Sequence, residues 1–98
     1  MALSTRFQSG TVICLNSLEI NTPYPMTHAE RILTEWGWTI LVTLQTEEDH
    51  NVRYFMPLSF AEVFTDTIVD EINNSVKDYK LIHRRLGENI HVIHVIIE

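Results

Sequence analysis

Trp38-Thr39-Ile40-Leu41-Val42-Thr43-Leu44-Gln45 is a strand written in a period of two. Trp38, Ile40, Val42 and Leu44 alternate with Thr39, Leu41, Thr43 and Gln45, so every second side chain is strongly apolar, and Leu41 is the one exception on the other side. Successive strand residues point to opposite faces, which gives one buried and one wetter face and places Trp38 in the core with Ile40. Glu35-Trp36-Gly37 just before it reads as a tight hairpin turn, because Gly37 can take the positive φ that such a turn needs. The density of strand formers extends from Thr27 to Pro57.

Residues 26–34 read as the strand entering that turn, and residues 52–56 as a third strand ended by Pro57. A polar, acidic loop at 46–51 joins the second and third, which makes an antiparallel meander. Ser59 and Glu62 have the spacing of a capping box, and Phe60, Val63, Phe64, Ile68 and Ile72 follow helical spacing on one stripe. Thr65-Asp66-Thr67 offers a second cap that would split the helix. Residues 79–84 and 90–97 read as two more strands around the turn Leu86-Gly87-Glu88-Asn89. The last is apolar on both faces, the pattern of a central or covered strand.

Upstream, Asn21-Thr22-Pro23-Tyr24-Pro25 is the clearest break, since each proline removes a backbone donor and holds its predecessor extended. The expected architecture is mainly β with one helix, in the α+β class. Residues 23–98 would form a small antiparallel barrel with the element order of an oligonucleotide-binding (OB) fold, and residues 1–22 an N-terminal arm or edge strand. Ninety-eight residues leave room for a single domain.

The hydrophobic fraction of 45% excludes a largely disordered chain. No apolar run approaches the roughly 18 residues of a membrane helix, and the first ten residues lack the basic start and apolar core of a secretory signal. Cys14 is the only cysteine, which excludes an intrachain disulfide; it reads as a small apolar filler in a strand. An intracellular location, cytoplasm or nucleus, fits this usage. The net charge of −6 counts against nucleic-acid binding, because phosphate neutralisation supplies most non-specific affinity. The cations Arg53, Lys77, Lys80, Arg84 and Arg85 are separated from the acidic groups Glu47-Glu48-Asp49 and Asp66, Asp70, Glu71, so a locally basic face is compatible with the sum.

Catalytic chemistry finds little support. The acidic groups lie in a hairpin loop and along a helix, where solvated charge is the ordinary reading. Gly10, Gly37 and Gly87 are isolated, so no phosphate-cradling loop is present, and there is no nucleophile elbow. His91 and His94 are three apart on a strand and point opposite ways, so they and His83 do not form a closed ligand set. The expectation is a protein without catalysis, metal or cofactor.

Aromatic and basic residues form the more promising set. Single-strand binders stack bases on aromatic rings within a positive groove, at about 1–3 kcal/mol per base. Trp36 sits at a turn, where an indole escapes full burial, and is the preferred platform. Tyr54 and Phe55 are consecutive and point opposite ways, so either ring can be the exposed one. If it is Phe55, it shares the outer face with Arg53. Arg53, Lys80, Arg84 and Arg85 would meet phosphates, and Trp36 and Tyr54 would stack bases, with Phe55 the substitute; the alternative is that these cations only solubilise and pair with the acidic clusters.

Tyr54-Phe55-Met56-Pro57, Phe64-Thr65-Asp66, Ile72-Asn73 and Tyr79-Lys80-Leu81-Ile82, in this order, resemble segments of short, largely uncharacterised proteins of arthropod viruses and mobile elements. The resemblance covers about residues 24–85. It implies an OB-like, single-stranded-DNA-binding protein. The chain departs from that pattern after Pro57, where Leu58-Ser59 stand in place of basic residues. The leading expectation is a single-stranded nucleic-acid-binding protein using Trp36, Arg53, Tyr54, Phe55, Lys80, Arg84 and Arg85. The competing expectation is a protein-interaction or assembly module, oligomeric through its N-terminal strand or directed at a host protein, and favoured by the acidic balance.

Overall fold

A two-residue reversal at Glu35-Trp36 organises the sheet. In the computed structural model, which describes residues 11–47 and 50–97, Gly37 has φ of 118° and pairs with Thr34 across the turn. Thr34 Oγ1 donates to the Gly37 carbonyl at 2.7 Å and accepts from the Trp36 N–H at 3.2 Å. The turn joins β2 (Pro23–Thr34) to β3 (Gly37–Glu47), and β4 (His50–Phe55) completes the meander. Helices α1 (Phe60–Val63) and α2 (Asp66–Asn73) follow, then the hairpin of β5 (Tyr79–Gly87) and β6 (Ile90–Ile97). A short strand, β1 (Thr11–Ile13), comes first and pairs in parallel with β4.

The α+β class is as expected: mainly strand, with α2 as the main helix. The sheet is mixed, six-stranded and open, in the order β1-β4-β3-β2-β5-β6. An OB barrel would close by pairing β4 with β6. Here the free side of β4 is taken by β1, and among the described residues β1 and β6 are the two edges.

Strand β2 begins earlier than its sequence indicates. Pro23 and Pro25, read as a break, pair with Ile82 and Lys80 of β5, and the pairing with β3 starts at Met26. The prolines are tolerated because this end of β2 has β5 on one side only. The register shifts between Met26 and His28, where β2 passes from one partner to the other, and such a bulge bends the strand. Beyond that bend the free edge of β2 is covered by α2, whose Asn73 side chain hydrogen-bonds both main-chain groups of Ala29.

One face of the sheet packs under the helices. Ala29, Ile40, Val42, Leu44 and Tyr54 meet Phe64 and Ile72 there, joined by Tyr79 and Leu81 from β5. Burying side chains of this size is worth about 1.5–3 kcal/mol each. Phe60 meets Phe64 edge to face at 5.9 Å. The helical stretch is split as Thr65 foretold: Thr65 Oγ1 accepts from the Ile68 N–H at 3.3 Å. The Ser59–Glu62 capping box is not made, because Ser59 has helical backbone angles and no side-chain cap bond. Val63, placed on the apolar stripe, is exposed, since the split rotates α1 out of phase with α2.

The segment 11–22, read as an arm or edge strand, supplies the edge strand β1 and is built into the same core through the buried Leu18. Ile20 bridges in parallel to His83, and the Asn21 N–H donates to the His83 carbonyl. Residues 1–10 lie outside the described residues. Cys14 is exposed rather than a strand filler, because the chain leaves β1 there and enters a turn at Leu15–Ser17.

Candidate functional site

Trp36 occupies the hairpin tip and is 74% exposed, so the preferred platform is a free indole. Trp38, expected in the core, is 53% exposed. It does share a face with Ile40, but it stands opposite Leu33, itself exposed, and the helices cover that face only as far as Arg31 and Ile40. Thr39 is buried instead, with its hydroxyl donating to the Met56 carbonyl at 2.8 Å.

The choice between Tyr54 and Phe55 is resolved by β4. Tyr54 stands opposite Val42 and is buried in the core, which removes it as a stacking platform. Burial, with Cys14 adding a smaller effect, pushes its hydroxyl above the usual tyrosine range. Phe55 stands opposite Leu41 on the outer face and is exposed, with Arg53 two residues back on the same face.

Trp36 and Phe55 come together in an outer-face cleft of about 350 Å³, lined by Thr34, Trp36, Thr39, Phe55, Met56, Pro57 and Leu58. None of these residues is charged. Two loops build it: the hairpin supplies Trp36, and the chain leaving β4 supplies Met56 to Leu58. In the sequence Pro57 marks a strand end and Leu58 a departure from the resemblance, and neither is a candidate site residue. An apolar residue on each side of a strand-ending proline was the signal for them.

The cations do not join this cleft. Arg53 reaches Glu30 at 3.4 Å across the outer face. Lys80 stands opposite Pro25, nine positions from Thr34 along β2, or about 30 Å of strand. Arg84 donates to Asn21 Oδ1, and its Nε is buried without a hydrogen-bond partner. Arg85 donates to the carbonyls of Gly87 and Glu88 at the β5–β6 turn. The expected joint surface of aromatic rings with Lys80, Arg84 and Arg85 is therefore not assembled within the chain, because β5 pairs with the opposite end of β2.

Two polar arrangements lie on the β5 side. Tyr79 donates its buried hydroxyl to Glu71 Oε1 at 2.7 Å. Burial foremost, then that carboxylate, pushes the Tyr79 hydroxyl up to about 12. The same hydrogen bond is the main cause holding Glu71 below the usual carboxylate range. His83 is buried with Nδ1 3.1 Å from the Leu18 carbonyl and Nε2 2.8 Å from His91 Nδ1. Because a carbonyl only accepts, His83 Nδ1 carries the proton, and in the neutral pair Nε2 accepts from His91. His94 lies on the other face, opposite Ile82, so the three imidazoles do not converge. Among the described residues no group of three or more metal-ligating side chains occurs, and no helix is long and apolar enough to cross a membrane.

Comparison of the chain with family models, with curated proteins and with solved structures gave no match.

Proposed function

We propose that this chain is a non-catalytic protein-interaction module that seats an apolar or aromatic side chain of a basic partner in the cleft around Trp36 and Phe55. The observation that carries this reading is the uncharged lining of the cleft beside a tryptophan three-quarters exposed. Large aromatic residues at the rim of an apolar pocket are the usual anchors of protein interfaces. The net charge of −6, with Glu35 next to Trp36, favours Lys or Arg flanking the inserted side chain. Arg31, Arg53, Lys77, Arg84 and Arg85 each have a partner within the chain, which works against a phosphate-binding role.

The test is selection from displayed random peptides on the immobilised full chain. Peptides with one aromatic residue flanked by Lys or Arg are expected to be enriched, and Trp36→Ala and Phe55→Ala are expected to weaken them at least tenfold. Equal enrichment on the wild type and on folded variants would overturn the reading.

A second reading is single-stranded nucleic-acid binding, with one base held by Trp36 and Phe55 and a phosphate met by Arg53. It is favoured by Arg53 and Phe55 sharing the outer face. The element order and the pairing of β2 with both β3 and β5 also support an OB-like relationship, lacking only the closing pair. Fluorescence anisotropy with single-stranded and duplex oligonucleotides at two salt concentrations separates the two readings. Salt-sensitive single-strand binding lost in Trp36→Ala would establish the second.

A further inference from the structure

Strand β6 is written as an interior strand and stands at an edge. Its eight residues, Ile90-His91-Val92-Ile93-His94-Val95-Ile96-Ile97, contain no Lys, Arg, Asp, Glu or Pro. Ile90, Val92 and Ile96 are on one face, Ile93, Val95 and Ile97 on the other. Natural edges are blunted by charge, proline, bulges or shortness. Here the one register shift lies at the hairpin end, between Arg85 and Gly87 of β5. The opposite edge, β1, has only three residues. Along β6 a row of backbone groups has no strand beside it among the described residues, and Ile90 and Ile97 are 58% and 55% exposed.

We infer that β6 pairs antiparallel with β6 of a second copy, joining two sheets across a two-fold axis. Antiparallel pairing of identical strands is self-complementary, so one axis perpendicular to the sheet satisfies both backbones at once. Charge argues for a second copy in particular. Two chains of net charge −6 repel over most of their surfaces, but β6 is free of carboxylates. In the register centred on Ile93, Ile90 stands opposite Ile96 of the second copy and Val92 opposite His94, so within β6 no Lys, Arg, Asp or Glu is brought against another. Ile93 and Val95 already pack against the core, whereas Ile90 and Ile96 are exposed and gain an apolar cross-strand neighbour in this pairing.

Sedimentation velocity of the full chain over a concentration series tests this. A species of twice the 11.4 kDa chain mass is expected. His94→Lys and Ile96→Lys are expected to give monomers with unchanged far-ultraviolet circular dichroism, and Trp36→Ala a dimer. Should the lysine variants unfold, hydrogen exchange on the wild type decides. All β6 amides are protected in the dimer, whereas alternate ones exchange freely if the edge is bare. A wild type monomeric at all concentrations, or a dimer that survives in folded lysine variants, would overturn the inference. So would a monomer whose β6 protection disappears on deleting residues 1–10, since the chain's own N-terminus would then be the cover.

Discussion

Asn73 and Ala29 are joined as neighbouring strand residues would be. Asn73 Oδ1 accepts from the Ala29 N–H at 2.8 Å, and Asn73 Nδ2 donates to the Ala29 carbonyl at 2.9 Å. A side-chain amide on the last residue of α2 thus substitutes for a β-ladder where β5 no longer follows β2. Asn73→Ala leaves both main-chain groups without a protein partner. The expected loss is about 1–3 kcal/mol of stability, read as a fall in melting temperature of about 4–8 °C per kcal/mol. A melting temperature unchanged within error would show that water replaces the amide at no cost.

Arg31 ties the two helices to β2. Its Nη1 donates to the Ala61 carbonyl at 3.1 Å, and its Nη2 to the Phe64 carbonyl at 2.8 Å and to Asp66 at 3.1 Å. Lysine cannot reproduce this fork, so Arg31→Lys is expected to cost about 1.5–3 kcal/mol. The Asp66 side chain is almost fully exposed, so Asp66→Ala is expected to cost less than about 1 kcal/mol. Urea denaturation of both variants checks the ratio; equal losses would place the stabilisation in the ion pair instead of in the carbonyl contacts.

Alkaline stability depends on Tyr79. Its folded-state pKa is raised from 10.0 to about 12, so the folded state holds the proton more tightly than the unfolded chain. The associated stability is complete below about pH 10 and is lost as the pH rises toward 12. Tyr54, raised in the same direction, adds to that limb. Glu71 has the opposite sign: held low, it contributes above its ordinary value of 4.5 and loses that contribution as the pH falls. Tyr79→Phe is expected to flatten the alkaline limb and to weaken the acid one, because Glu71 loses its main hydrogen bond. Urea midpoints from pH 3 to 12 show both. An alkaline limb as steep in Tyr79→Phe as in the wild type would rule this out.

Trp38 and Ile40 share a strand face with unequal consequences. Ile40→Ala empties a fully buried site and is expected to cost about 2–5 kcal/mol. Trp38→Ala, at a half-exposed position, is expected to cost less than about 1.5 kcal/mol, because little apolar area leaves the core. Thermal melts of the two variants decide it, and a larger loss for Trp38 would mean that the indole is covered in solution.

Periodicity and turn chemistry carried the local reading. The hairpin at Gly37, the strand through Leu44, the helix split at Thr65 and the β5–β6 hairpin each rest on contacts within a few residues, and all are present; the expected division of β3 into a buried and a wetter face is not, since Trp38 is exposed while Thr39 and Leu41 are buried. Trp36 followed from the same logic, since a turn leaves an indole in water. What periodicity does not encode is how far a neighbouring element covers a face, or which strands become neighbours. The cover ends at Ile40, which exposes Trp38. Tyr54 packs against the core and Phe55 does not, because β4 enters beside β3 in one register. The bend at Met26 sends β5 to the far end of β2, so Lys80 and Trp36 part company; and β1 takes the place where β6 would close a barrel. These are pairings between residues distant in the chain, chosen by the packing of the whole, and no local pattern of side chains specifies them.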